Sequence, residues 1–184
     1  YSLTYKINSE GKILVFADYA PAKEGLPLMP KFGMKMLVNP EMDEITWYGR
    51  GIYENYPDRK SSEFIGEYSL PLDDFVVNYP APQENGNRCD VRWMAFSDGK
   101  QNLRIEGLQP LCFRAWPWLD EDIEKAGHPF ELPDRDFINV NIDLNIHGVG
   151  CNDGWGAQTL EKYTIDANKP YSYGFILSCE GESK

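Results

Sequence analysis

Ile138-Asn139-Val140-Asn141-Ile142-Asp143-Leu144-Asn145-Ile146 is the stretch that decides the fold. Its aliphatic side chains alternate with small polar ones in every position, the period of an extended backbone and not the 3.6 of a helix. The spacing predicts a β-strand with one buried and one wet face, as antiparallel sheets provide. Other alternating runs lie on both sides of it. Leu3, Tyr5 and Ile7, the turn Asn8-Ser9-Glu10-Gly11, and Ile13, Val15, Ala17 and Tyr19 read as a β-hairpin. Pro21, Pro27 and Pro30 mark a crossing loop before Phe32, Met34, Met36 and Val38 resume period two.

Ile45 to Tyr48 reads as a short strand. Val91, Trp93 and Ala95 pair through the Ser97-Asp98-Gly99 turn with a strand at Leu103 to Ile105. Leu111, Phe113 and Ala115, then Tyr163 to Ile165, then Tyr171, Tyr173, Phe175 and Leu177 add further strands. One short helix is expected after Trp118, capped by Asp120, with Glu121 and Asp122 at its positive end and Gly127 closing it. Many strands, one helix and no βα alternation predict an all-β fold, a large antiparallel β-sandwich. Residues 1–184 read as a single domain. Tyr1 falls inside a strand with neither Met nor leader before it, so a fragment of a longer protein is expected.

Composition excludes several functions. With 18 basic against 29 acidic residues the net charge is -11, which opposes a phosphate backbone, so no nucleic acid is expected. No apolar run approaches the roughly 18 to 20 residues that cross a bilayer, so no membrane partner is expected either. Cys89, Cys112, Cys151 and Cys179 form no Cys-x-x-Cys pair, and His128 and His147 are the only histidines. The sequence therefore supports neither a metal site nor a cofactor. Aromatic residues make up 14% of the chain, with 5 Trp and 11 Tyr, which suits a thick β core and flat faces for sugars.

Two stretches are candidate sites. His147-Gly148-Val149-Gly150-Cys151-Asn152-Asp153-Gly154-Trp155-Gly156 leaves the long strand with one indole among four glycines. Glycines allow positive φ and close approach, so the run presents Trp155 to a ligand, unless the indole folds back to cap a sandwich edge. The second is Gly49-Arg50-Gly51-Ile52-Tyr53-Glu54-Asn55-Tyr56-Pro57-Asp58-Arg59, a poor strand and a poor helix, hence a structured loop. Either Arg50 and Arg59 pair with Glu54 and Asp58 to hold that loop, or it flanks a polar pocket. Arg88, Asp90 and Arg92 would share one side of an extended segment, as a bracing ladder or a ligand clamp.

The order of Trp47-Tyr48-Gly49-Arg50-Gly51, Glu54-Asn55-Tyr56-Pro57-Asp58-Arg59, Pro82-Gln83-Glu84-Asn85-Gly86-Asn87-Arg88, Asp90-Val91-Arg92-Trp93, His128-Pro129, Glu131-Leu132 and Gly148-Val149-Gly150 to Trp155 resembles a known family. It is similar to the C-terminal, small-chain domain of β-galactosidases of glycoside hydrolase family 2, over residues 26–177. The resemblance implies a galactose-mutarotase-like supersandwich that follows a (β/α) barrel in the same polypeptide, with the catalytic glutamates in that barrel and no catalytic residue here. It also implies that Trp155 lines the sugar site at the barrel's mouth, beside Asp153, Asn152 and Glu54, and that residues 51–61 match a movable loop there. The family's domain starts upstream of Tyr1, so a truncated domain with unpaired sheet edges is expected. Where the family often has Gly-Gly-Asp-Asp-Ser-Trp, this chain has Gly150-Cys151-Asn152-Asp153-Gly154-Trp155, with one carboxylate and one hydroxyl fewer.

The expected partners are thus a barrel domain and a galactoside, and the sequence leaves a homo-oligomer open. An indole laid on a pyranose contributes about 1.5 to 3 kcal/mol, below the roughly 4.1 kcal/mol of millimolar binding, so the chain alone should bind sugars weakly. Two other functions compete. A stand-alone carbohydrate-binding module or lectin would bind without the barrel, and an autonomous hydrolase would use Glu54 and Asp58 as a carboxyl pair about 5 to 5.5 Å apart.

Overall fold

The computed structural model describes residues 1–150 and 156–181. Its strands are β1 (Ser2–Ile7), β2 (Ile13–Tyr19), β3 (Leu28–Met29), β4 (Lys31–Val38), β5 (Glu44–Gly51), β6 (Phe64–Pro71), β7 (Arg88–Ser97), β8 (Gln101–Trp116), β9 (Ile138–Ile146), β10 (Ile165–Asp166) and β11 (Tyr171–Gly181). Two short helices, α1 (Leu72–Phe75) and α2 (Asp120–Lys125), interrupt them. Nine of the described strands form one antiparallel sheet, in the order β1-β2-β11-β8-β7-β5-β6, with β4 and β9 joined to it through β8.

That branching at β8 makes the sandwich. The stretches read separately at Leu103 and Leu111 are one strand, whose one edge is taken by β7. The other edge pairs with β11 from Gln101 to Gly107 and with β9 from Cys112 to Trp116. Pro110, which has no N–H to donate, falls in the gap between the two partners. The branches then close on each other: the Tyr173 hydroxyl donates to the Ile142 carbonyl at 2.9 Å. Phe32 of β4 meets the Tyr171 and Tyr173 rings at 5.6 and 5.7 Å. Between the layers lie Val15, Ile45, Met94, Phe96, Ile105, Phe113, Val140 and Phe175. Trp47 sits among Phe75, Phe113 and Tyr68, and its indole N–H finds the Arg50 carbonyl at 2.9 Å.

Several expectations change. β6 went unread because Phe64 and Ile65 are both exposed at the sheet's edge, which blurs the alternation. β5 continues to Gly51, so the loop starts later than its glycines suggest. Asp120 does not cap α2: extended Leu119 does, with its N–H held by the Asp122 carboxylate at 3.0 Å, and the helix ends before Gly127. Tyr163 belongs to a 3-10 turn, not a strand.

The largest correction concerns β9, whose polar face is wet only at Asn145. Asn139 and Asn141 are 1% exposed and Asp143 2%. Asn139 donates to the Trp118 carbonyl at 3.0 Å, and Asn141 is a partner of Arg114, itself 1% exposed. Its guanidinium donates to Glu84, to Asp120 at 3.0 Å and to Asn141 at 3.0 Å, and lies 3.2 Å from the centre of the Trp116 ring. Lys31 and Lys35 also reach Asp120. Burial alone would push the Asp120 carboxyl up, but bonds from Lys35 and Arg114 outweigh it and hold that carboxyl well below the ordinary range. Among the described residues no such bond to Asp143 is found, and burial pushes it up to about 7 against the weaker pull of Lys31 and Arg114.

A carboxyl raised from 3.8 to about 7 keeps a proton in the fold that the unfolded chain releases. Stability therefore falls as pH climbs between those values and levels off above them. Asp143→Asn should remove this loss. Its melting temperature relative to the parent should rise from pH 5 to pH 8, by about 2 to 4 °C for each kcal/mol recovered. Parallel pH profiles for the two proteins would refute the assignment.

Candidate functional site

The two motif blocks that are far apart in sequence, residues 54–59 and 83–88, fold into one clasp. The Asn55 backbone N–H donates to the Asn87 carbonyl at 2.7 Å, and the Asn87 side-chain amide returns a bond to the Asn55 carbonyl at 2.7 Å. The Asn55 side chain accepts the Cys89 N–H at 2.8 Å. Glu54 closes the same joint. One oxygen takes bonds from Arg59 and the Tyr79 hydroxyl, and the other takes the Gly86 N–H at 2.8 Å. The Tyr79 phenol is held above its ordinary range, chiefly by that bond to Glu54. Tyr56 is buried, and its hydroxyl points to Glu84 at 3.4 Å. The clasp is thereby wired to the Arg114 cluster.

Tyr56-Pro57-Asp58-Arg59 is a tight turn, closed by the Arg59 N–H on the Tyr56 carbonyl at 2.9 Å. Pro57 at the second position fixes the φ such a turn needs. The turn delivers Asp58 to the start of the glycine run. Its carboxylate accepts the Val149 N–H at 3.1 Å, the Gly150 N–H at 2.7 Å and the Thr159 hydroxyl at 3.1 Å. Successive backbone amides converging on one carboxylate are a small anion nest. Gly148 is required by the approach: a Cβ there would fall 2.8 Å from both the Asp58 carboxyl carbon and the Thr159 hydroxyl. Gly150 is required by its backbone, at φ +85°. The Gly148 N–H donates to the Tyr163 carbonyl at 2.8 Å, which ties the run to the following segment.

The two candidate stretches are thus one assembly, and Asp58 is the joint. Asn152, Asp153 and Trp155 lie outside the described residues. Glu54, expected beside a sugar, is turned inward instead: its side chain is 8% exposed and both oxygens are committed. Of the expected loop pairs, Arg59 with Glu54 forms. Arg50 goes to Asp90, which Lys60 also holds at 2.8 Å, and together they outweigh burial and keep that carboxyl below its usual range.

The Arg88-Asp90-Arg92 ladder does not form, because register shifts on both sides of Val91 break the alternation. Arg88 is buried over the Phe75 and Trp47 rings, and Arg92 lies over Tyr48. Burial pulls the Arg88 guanidinium down to about 10.

Sequence reasoning missed Thr159, Lys60, Glu84 and Arg114. The available signal for Arg114 was its place between Cys112 and Trp116 in a strand whose other face is equally apolar, where a charge must bring partners. Chemically, Glu54 and Asp58 spend their lone pairs on the chain's own donors, which suits bracing and not proton transfer over an open cleft. Among the described residues, no three His, Cys, Asp or Glu side chains gather where a metal could sit.

The fold and the site define an antiparallel β-sandwich whose two motif blocks clasp each other and hold the start of a glycine run. Residues 1–177 match the family model of the beta galactosidase small chain, and the chain belongs to that family. It is 35% identical over 176 residues to a β-galactosidase of Priestia megaterium (strain DSM 319 / IMG 1521), a match covering 95% of this chain and 17% of that enzyme. Identity is 34% over 175 residues to a β-galactosidase of Pseudoalteromonas haloplanktis, covering 95% of this chain and 16% of the relative. It is again 34%, over 177 residues, to one of Lactobacillus delbrueckii subsp. bulgaricus, covering 96% and 17%. The chain thus spans about 17% of the length of the curated relatives it matches.

Asp58→Ala should free the start of the glycine run while leaving the core intact. Hydrogen exchange at the Val149 and Gly150 amides should accelerate about tenfold or more, the factor for ~1.4 kcal/mol of lost local stability, with Ile142 unchanged. Gly148→Ala should do the same by displacing the carboxylate. Unaltered exchange in both variants would show that Asp58 does not hold the run.

Proposed function

We propose that this chain works as the small-chain domain of a longer β-galactosidase that hydrolyses terminal β-D-galactosides. In this reading the glycine run carries Trp155 to the rim of a sugar site whose catalytic glutamates sit in a barrel elsewhere in the polypeptide. Asn152 and Asp153 flank the indole as polar contacts, and Glu54 works from behind by locking the loop. The observation that carries the reading is the Asp58 joint, which spends three hydrogen bonds on holding the two sides of the glycine run. The relatives' β-galactosidase names and their much greater length support the division of labour. An indole platform suits this role because it gains affinity by excluding water from an apolar sugar face without any proton chemistry.

In the full-length enzyme, Trp155→Ala should lower kcat/KM for a chromogenic galactoside about 5- to 30-fold, equivalent to ~1 to 2 kcal/mol. Asp58→Ala should lower it through the same side chain, so the double variant should lose little more than the worse single one. Wild-type kinetics in Trp155→Ala would reject a substrate-facing role. Micromolar galactose or lactose binding by the chain without its barrel, lost in Trp155→Ala, would favour a stand-alone binding module instead.

A further inference from the structure

Two thiols face each other across the β7–β8 ladder. Arg88 pairs with Phe113 and Val91 with Leu111, so Cys89 stands opposite Cys112, and Asp90, at φ 54°, is the extra residue of the bulge. Their sulfurs are 3.4 Å apart. A shift of about 1.4 Å would bring them to the roughly 2.05 Å of a covalent bond. Both are buried, yet both line a cavity of about 260 Å³ that Lys60, Asp90, Lys162 and Tyr163 also line. That volume has room for a molecule the size of hydrogen peroxide.

The surroundings distinguish the two sulfurs. Cys89 Sγ accepts the Asn87 side-chain amide at 3.3 Å and the Cys112 thiol at 3.4 Å, and its own thiol faces the Asn55 carbonyl at 3.6 Å. Donation to Cys89, together with burial, pushes the Cys112 thiol well above its ordinary range.

We propose that Cys89 and Cys112 form a dithiol site for small peroxides, in which peroxide closes the pair into a disulfide. The Cys89 thiolate attacks one peroxide oxygen. An S–O bond forms, the O–O bond breaks, and the departing oxygen leaves as water after taking up protons. The Cys112 sulfur then attacks Cys89 sulfur, an S–S bond forms, and the sulfenic hydroxyl departs with the Cys112 proton as a second water. Two thiols are oxidised by two electrons while one hydrogen peroxide is reduced to two waters. The bond would fasten β7 to β8 where Cys89 also holds Asn55, so the clasp of residues 54–59 and 83–88 lies next to the oxidised pair.

The test is peptide mapping of the full-length polypeptide after graded hydrogen peroxide, with N-ethylmaleimide blocking in denaturant and no reductant. Exposed Cys179 serves as an internal control for oxidant dose. The expected result is a joined Cys89–Cys112 peptide pair, two hydrogens lighter than its parts, that makes up most of both peptides and is reversed by dithiothreitol. In Cys112→Ser, Cys89 should instead be trapped by dimedone as the sulfenic acid. Should that variant fail to fold, the wild-type map decides alone. Both thiols recovered as maleimide adducts at a dose that oxidises Cys179 would overturn the proposal, as would Cys89 sulfinic acid beside a free Cys112.

Discussion

A guanidinium shut away from water must be answered by charge and hydrogen bonds, and Arg114 sets that requirement where β8, β9 and α2 meet. Glu84, Asp120 and Asn141 meet it from three separate parts of the chain. To do so, α2 must lie over β9, and the segment entering β7 must fold back against β8. The face of β9 that alternation assigns to solvent becomes the floor of a polar layer. Replacing one partner would leave charge stranded in that layer, which costs about 3 to 5 kcal/mol. Breaking the layer would undo the arrangement on which the loops rest.

From this layer order passes outward through short hydrogen-bonded steps. Glu84 meets Tyr56, Asn87 meets Asn55, Gly86 meets Glu54, and the 56–59 turn then sets Asp58 against Val149 and Gly150. Each step joins groups with few rotatable bonds, or fixes a side chain at both ends, so little freedom is left to lose when a partner binds. Loops that present ligand contacts need such support, because a contact displaced by an ångström loses most of its value.

The carboxylates of the clasp are placed as supports. A general acid or nucleophile needs an oxygen free to face substrate, and a pair must have environments that drive their proton affinities apart. Glu54 and Asp58 each receive three donors from the chain itself, which leaves them as fasteners. Asp143 does have a raised proton affinity, yet it is closed off under the polar layer, where the shift records burial and not readiness to act.

Period-two alternation made the strands of the sandwich legible, and it succeeded wherever one face is apolar and the other is not: the first hairpin, β4, β9 and β11 all obey it. The motif blocks made the family legible, since Glu54 to Arg59 and Gln83 to Arg88 are long and ordered. Neither could show that the blocks touch, that Asp58 bonds to the glycine run and not to an arginine of its own loop, or that Glu54 faces inward. Those facts depend on pairs 90 or more residues apart in the case of Asp58, and 32 apart for Glu54 and Gly86. Local sequence fixes what a residue can do with its neighbours in the chain. Which of its hydrogen bonds go to distant segments was decided only when β8 divided its edge between β11 and β9 and folded one layer over the other.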